Sequence, residues 1–218
     1  MKLNLPHVTQ QNNAIRNDCG PACVAMLTER TIDDVLAVTG KRDQQLHMSD
    51  IMQALRHYGV DNEHHRPIHL PDARSWLSLG YPIIALVGYG RLPADLKGDP
   101  KYNGNHYVLL TGFTIDGFLI HDPLQPQGWV LWSDSALVDV WSYPTKAMPL
   151  QGIVVTVQRE IVEPEMAEFG IAVNDGINTS IARHYLDALH LVLGVKGDTL
   201  AERQGHALAK LAMLRGAK

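Results

Sequence analysis

The 218-residue sequence predicts an α+β domain, helices first and an antiparallel sheet after them, followed by a smaller helical appendage. Three observations carry this prediction. Apolar residues recur at helical spacing as far as Gly80, then change from Tyr81 to continuous apolar runs of strand length. The stretch QREIVEPEMAEFG, Gln158 to Gly170, is acidic, contains Pro164 and has no period, which is the pattern of a connector. The expected division is therefore a domain over residues 1–158, a linker over 159–177 and a helical hairpin over 178–218.

Each element has its own signal. CGPACVAMLTER is apolar on nearly every side and carries Pro21 in its first turn, which predicts a buried helix starting at Cys19. Thr31 and Asp34 form a capping box before Val35, Leu36 and Val38. Ile51, Leu55 and Tyr58 share a helical face that Gly59 stops, and a short helix runs from Pro71 to Gly80. PIIALVGY, HYVLLTGFT and FLIHD read as strands, the last two joined by a turn at Asp116 and Gly117. Past Gly170, Ile181, Tyr185, Ala188, Leu189 and Val192 mark one amphipathic helix, and Leu200, Ala207, Leu208, Leu211 and Leu214 mark another behind the cap Asp198. Their apolar faces need a partner: the main domain, a second copy in a homo-oligomer, or a larger assembly such as a viral particle.

Composition narrows the function classes. Apolar residues make up 45% of the chain, which is too many for disorder, and no apolar run reaches the 18 or so residues of a membrane span. A net charge of -4 without a Lys/Arg run argues against a nucleic-acid groove. The start, MKLNLPHVTQQNN, lacks the apolar core of a secretory signal, so the expected location is the reducing cytoplasm, where Cys19 and Cys23 are thiols.

A cysteine nucleophile needs its thiolate, which a helix N-terminus and a neighbouring imidazolium both favour. Cys19 has the helix start, and Gly20 and Pro21 let the chain turn sharply into it, with free N–H groups pointing at the sulfur. Cys23, one turn deeper, reads as a small buried hydrophobe. His106 opens the strand HYVLL after a polar loop and can face a cleft, and Asp122 ends the next strand, where a carboxylate can hold the imidazole in one tautomer. Hairpin geometry leaves two registers open. A two-residue Asp116-Gly117 loop puts Asp122 opposite Thr111, off the His106 face; a three-residue Ile115-Asp116-Gly117 loop puts it opposite Leu110, on that face. Leu110 lies four residues from His106, about 13 Å along a flat strand, so twist, coiling or a further bulge must close the gap.

The strings DCGPACVAML, GYPIIALV and NHYVLLTGFTIDGFLIHDP resemble the bacteriocin-processing, double-glycine-leader cysteine peptidases and their stand-alone relatives, a branch of the papain-like superfamily. The resemblance implies a papain-like peptidase fold with Cys19 as nucleophile, His106 as general base and Asp122 as its orienting partner. It also implies an oxyanion-hole glutamine at Gln10, with Gln11 as the alternative; Asn13 stands six residues before Cys19, where transporter-linked members carry that glutamine. The implied activity is thiol hydrolysis of a peptide or isopeptide-like amide in a peptide or protein substrate, with no cofactor. The competing expectation is a structural or interaction module that keeps the peptidase fold within an assembly such as a phage particle, including one that acts on cell-wall peptides.

Other signals are weaker. His64, His65 and His69 beside Glu63 fit no zinc spacing and read as a solvated loop or strand edge. His121 points to the opposite strand face from Asp122, and Gly88 and Gly90 match no phosphate loop. Trp129, Trp132 and Trp141 read as core, and the polar loop from Arg91 to Asn105 as a cleft wall or lid.

Overall fold

The computed structural model describes residues 1–10, 17–42, 44–143 and 149–162, which lie within one unit, Met1–Pro164. Its central helix is α1 (Cys19–Thr28), buried from Cys19 to Leu27, as its all-round apolar sequence requires. The next helix, α2 (Ile32–Thr39), begins at a true capping box: the Asp34 N–H donates to Thr31 Oγ1 at 3.1 Å and the Thr31 N–H to Asp34 Oδ2 at 3.0 Å. Then come α3 (Met48–His57) and α4 (Leu70–Ser78), after which Gly59 and Gly80 take the positive φ that ends a helix. These elements are those the periodicity predicts.

The sheet is antiparallel in every pairing. Its strands are β1 (Lys2–Leu3), β2 (Asn62–His65), β3 (Ile83–Gly88), β4 (Asn105–Phe113), β5 (Gly117–His121), β6 (Val130–Ser133), β7 (Gly152–Val155) and β8 (Ile161–Val162). The order is β2-β7-β3-β4-β1-β8, with β5 on β4 and β6 on β5. The central helix packs on β4 with α2 and α3 beside it, α4 packs on β4, and α5 (Asp134–Ser142) packs on β3. An α+β fold of helices plus antiparallel sheet is thus what the chain adopts.

Several elements lie outside the expectation. Both β1 and β8 are two residues long and take their shape from pairing with each other, so they carry no period. The buried run of β7 is only four residues, too short to distinguish strand from helix. Helix α5 does have a signal: Ser133 caps it by accepting the Ala136 N–H, and Leu137, Val140 and Trp141 fall on one buried face. Trp132 and Trp141 are fully buried in the core, as expected, and the Trp141 indole N–H donates to the Gln151 carbonyl at 2.9 Å.

The residues expected to open the linker, 159–162, pair with the first domain instead. The Arg159 N–H donates to the Gly80 carbonyl at 2.8 Å and its guanidinium to the Leu27 carbonyl at 2.6 Å. The Asn4 N–H donates to the Glu160 carbonyl at 2.8 Å, and Ile161 pairs with Leu3. These are mostly backbone contacts, so an aperiodic, acidic composition describes an exposed edge strand as well as it describes a connector. The rest of the linker, 163–177, and the hairpin, 178–218, lie outside the described residues. No helix among the described residues is long and apolar enough to cross a membrane.

Candidate active site

Cys19 is the first residue of α1, behind Asp18, whose carbonyl accepts the Ala22 N–H at 2.8 Å. Gly20 leaves room for the neighbouring core: a side-chain carbon there would stand 3.2 Å from Ile51 and 3.4 Å from Tyr107. Cys23, a turn deeper, is fully buried. Burial, with the charges at Cys19 and Asp122, pushes its thiol well above the ordinary range, so it stays protonated and inert.

The β4–β5 hairpin has neither of the two loops left open by the sequence. Phe113 pairs with Phe118, leaving Thr114 to Gly117 as a four-residue loop closed by the Thr114 N–H on the Gly117 carbonyl at 2.8 Å. A β-bulge then puts Thr111 out of register between the Gly112–Leu119 and Leu110–Ile120 pairs. Its hydroxyl donates to the Leu119 carbonyl at 3.1 Å, and β1 passes so close to Gly112 that a side-chain carbon there would overlap Met1 and Lys2. The bulge decides the site. With Leu109 paired to His121, the next position puts Asp122 level with Val108, on the His106 face and two residues away. Diagonal neighbours at that separation are within side-chain reach. Without the surplus residue Asp122 would fall level with Leu109, on the other face.

The three side chains meet. Asp122 Oδ1 lies 2.7 Å from His106 Nε2, and Cys19 stands close enough to the His106 ring to favour its charged form. Asp122 Oδ1 accepts the Leu124 N–H and Oδ2 accepts the Tyr89 hydroxyl, both at 2.9 Å. Its carbonyl accepts the Gln125 N–H and faces His7 Nε2 at 3.1 Å. Cys19, His106 and Asp122 are 3%, 1% and 0% exposed, so their electrostatics act with little solvent screening. Burial alone would strip the proton from His106, but the Asp122 carboxylate, helped by Cys19, outweighs it and pushes the imidazole up to about 10. The Tyr89 and Tyr102 rings stand edge-on to the imidazole at 4.8 and 5.9 Å.

Gln10 is half-buried, and its N–H donates to the Pro123 carbonyl at 2.8 Å, which holds it beside the Asp122 turn. Gln11 and Asn13 lie outside the described residues. His64 and His65 lie on β2, where His65 bonds Glu63 at 3.0 Å and packs on Trp76. Among the described residues no three His, Cys, Asp or Glu side chains gather as metal ligands. Tyr89, within VGYGRLP, joins the site without any sequence signal of doing so. It lies two residues beyond Val87, the β3 partner of His106, but a long polar connection hides that register in the sequence.

His121 sits on the far face, fully buried against Trp129 and His7. Neither ring nitrogen makes a well-formed hydrogen bond, and although the Pro6 carbonyl favours the proton slightly, burial and then His7 push the ring down to about 3. An unfolded imidazole titrates near 6.5, so the unfolded chain binds the extra proton between those values and stability falls as pH falls. Urea unfolding should therefore lose about 2 kcal/mol from His121 between about pH 7 and pH 5, and His121→Phe should flatten that slope. An equally steep slope in the variant would rule His121 out as its source. His106 has the opposite effect: its contribution is whole below about 6.5 and is lost as pH rises through about 10.

No curated protein matches the chain. Among solved structures, a C39-like peptidase from Bacillus anthracis superimposes with a TM-score of 0.55 at 14% identity, covering 73% of this chain and 100% of that one. The peptidase domain of Streptococcus ComA, a bifunctional ABC transporter involved in quorum sensing, gives 0.49 at 20% identity, covering 71% and 97%. A double glycine motif protease from an AMS/PCAT transporter, in complex with its leader peptide, gives 0.48 at 19% identity, covering 71% and 93%. A family model, that of the Peptidase_C39 like family, aligns with residues 2–147, well over half of the sequence, and the chain therefore belongs to that family.

Proposed function

We propose that this chain is a cysteine peptidase that cleaves a peptide or isopeptide-like amide with Cys19 as nucleophile, His106 as acid and base, and Asp122 as the group that orients and charges the imidazole. The observation that carries this reading is the buried His106–Asp122 pair, 2.7 Å apart, with Cys19 at the start of α1 near enough to favour the charged imidazole. Membership of a peptidase family supports the peptide substrate.

In this mechanism the Cys19 sulfur bonds to the amide carbon while His106 holds the thiol proton. The oxyanion takes hydrogen bonds from the Cys19 N–H at the start of α1 and from the Gln10 side chain. On collapse, the carbon–nitrogen bond breaks and the amine leaves with the His106 proton. A water then gives a proton to His106 and its hydroxyl to the thioester, releasing a carboxylic acid and restoring the thiol. Asp122 faces the imidazolium throughout and needs no proton of its own.

Iodoacetamide labelling at about pH 6, where an ordinary thiol is nearly inert, tests the pairing. Cys19 should label rapidly and Cys23 should not, and His106→Ala should abolish the difference. Slow, equal labelling of both in the native chain would contradict the reading.

A further inference from the structure

Tyr89 is fully buried at the end of β3, yet its hydroxyl has two polar partners from different parts of the chain. It donates to Asp122 Oδ2 at 2.9 Å and accepts the Gly98 N–H at 2.8 Å. Gly98 belongs to the exposed connection between β3 and β4, which carries the short 3-10 turns Tyr89–Arg91 and Ala94–Leu96. That connection docks on the turn after Asp122: Gln125 Nε2 donates to the Leu96 carbonyl at 2.8 Å, and a side-chain carbon on Gly98 would collide with the Leu124 carbonyl. Leu124 in turn supplies the N–H on Asp122 Oδ1. Both oxygens of the carboxylate are therefore held by groups that the connection touches.

We propose that Tyr89 is a positioning residue which makes the orientation of Asp122 depend on the docking of the 92–104 connection. The inference rests on the role given to Cys19, His106 and Asp122 above. When Gly98 is seated, its N–H holds the phenol oxygen and directs the hydroxyl proton at Oδ2, so the carboxylate presents Oδ1 to His106. Burial and the Asp122 charge raise the Tyr89 phenol far above its ordinary range, so the hydroxyl remains a donor at every working pH. With the connection unseated the phenol turns, Oδ2 loses its donor, and Asp122 supports the imidazolium less well. A substrate that presses on this connection would thus also act on the carboxylate.

The experiment follows alkylation of Cys19 and Cys23 by iodoacetamide against pH in the full chain, by mass spectrometry, for the native sequence, Tyr89→Phe, Gly98→Ala and the double variant. Tyr89→Phe should slow Cys19 labelling at about pH 6 roughly tenfold and move the acid limb of the rate profile to higher pH, the size expected for one lost hydrogen bond to a charged group. Gly98→Ala should slow it in the same direction, and when combined with Tyr89→Phe it should add less than its own effect, because the link through Oδ2 is already cut. Cys23 reports the fold, since it labels only where the core opens. If Tyr89→Phe exposes Cys23, Gly98→Ala alone decides: slower Cys19 labelling with Cys23 untouched supports the link, and an unchanged rate overturns it. Effects of the two substitutions that multiply independently, or an unshifted acid limb in folded Tyr89→Phe, also overturn it. Failure of the peptidase reading looks different, because the native chain itself would then label both cysteines slowly.

Discussion

Cys19→Ala is expected to remove peptide hydrolysis, lowering the rate by ~10⁴-fold or more, while Cys23→Ala leaves it within about twofold. The contrast is large because the two thiols, one helical turn apart, occupy different surroundings. Cys19 sits at the helix start against the His106 ring. Cys23 is sealed among apolar side chains with its thiol held well above the usual range. Cys23 cannot stand in for Cys19 in the proposed reaction, since burial that deep provides neither a base nor room for a carbonyl. Digestion of a mixed peptide pool, read by mass spectrometry for products that vanish with Cys19→Ala, measures the effect whatever the cleavage site. Products that persist in Cys19→Ala would place the chemistry elsewhere.

Asp122→Asn separates orientation from charge. An amide oxygen at the Oδ1 position can still accept from His106 and from the Leu124 N–H, and an amide nitrogen at the Oδ2 position can donate to the Tyr89 oxygen, so the ring keeps its place. The negative charge is gone, however, and with it the main influence that raises His106 to about 10. Removing a carboxylate disfavours the imidazolium, so the titration midpoint of His106, followed by nitrogen NMR of the ring, should fall from near 10 toward about 6.5 or below. Hydrolysis at neutral pH should fall by about 10²-fold, since the imidazole then holds its proton for only part of the time. A midpoint that stays near 10 would mean that a group other than Asp122 supplies the charge.

The helices and the three central strands are legible in the sequence because each buries a periodic face or a long apolar run that leaves its mark whatever surrounds it. Cys19, His106 and Asp122 can each be placed on an element for the same reason. Their meeting cannot be read, because it depends on the out-of-register Thr111, and nothing local in VLLTGFT marks that residue as unpaired. The bulge depends on two partners distant in sequence: the Leu119 carbonyl that takes the Thr111 hydroxyl, and the β1 backbone that passes Gly112. Tyr89 is hidden in a similar way, since its hydroxyl has no role until Gly98 and Asp122 arrive from two other segments. The edge strand β8 escapes notice because its two apolar residues, Ile161 and Val162, are too few to show a period within an acidic stretch.

The bulge at Thr111 makes the site a matter of parity. Side chains on a strand alternate between two faces, so whether Asp122 confronts His106 turns on whether the residues between them are odd or even in register, not on which residues they are. Substitutions along β4 and β5, apart from those at Thr111 and Gly112 on which the bulge depends, change packing and leave parity alone, and residues added at the Thr114 to Gly117 tip only lengthen the loop. Loss of one residue between Tyr107 and Phe113, or between Phe118 and His121, reverses parity and turns the carboxylate to the far face, where His121 now lies. Along this hairpin, length variation compatible with the chemistry is therefore confined to the tip, and within the strands to changes that come in twos.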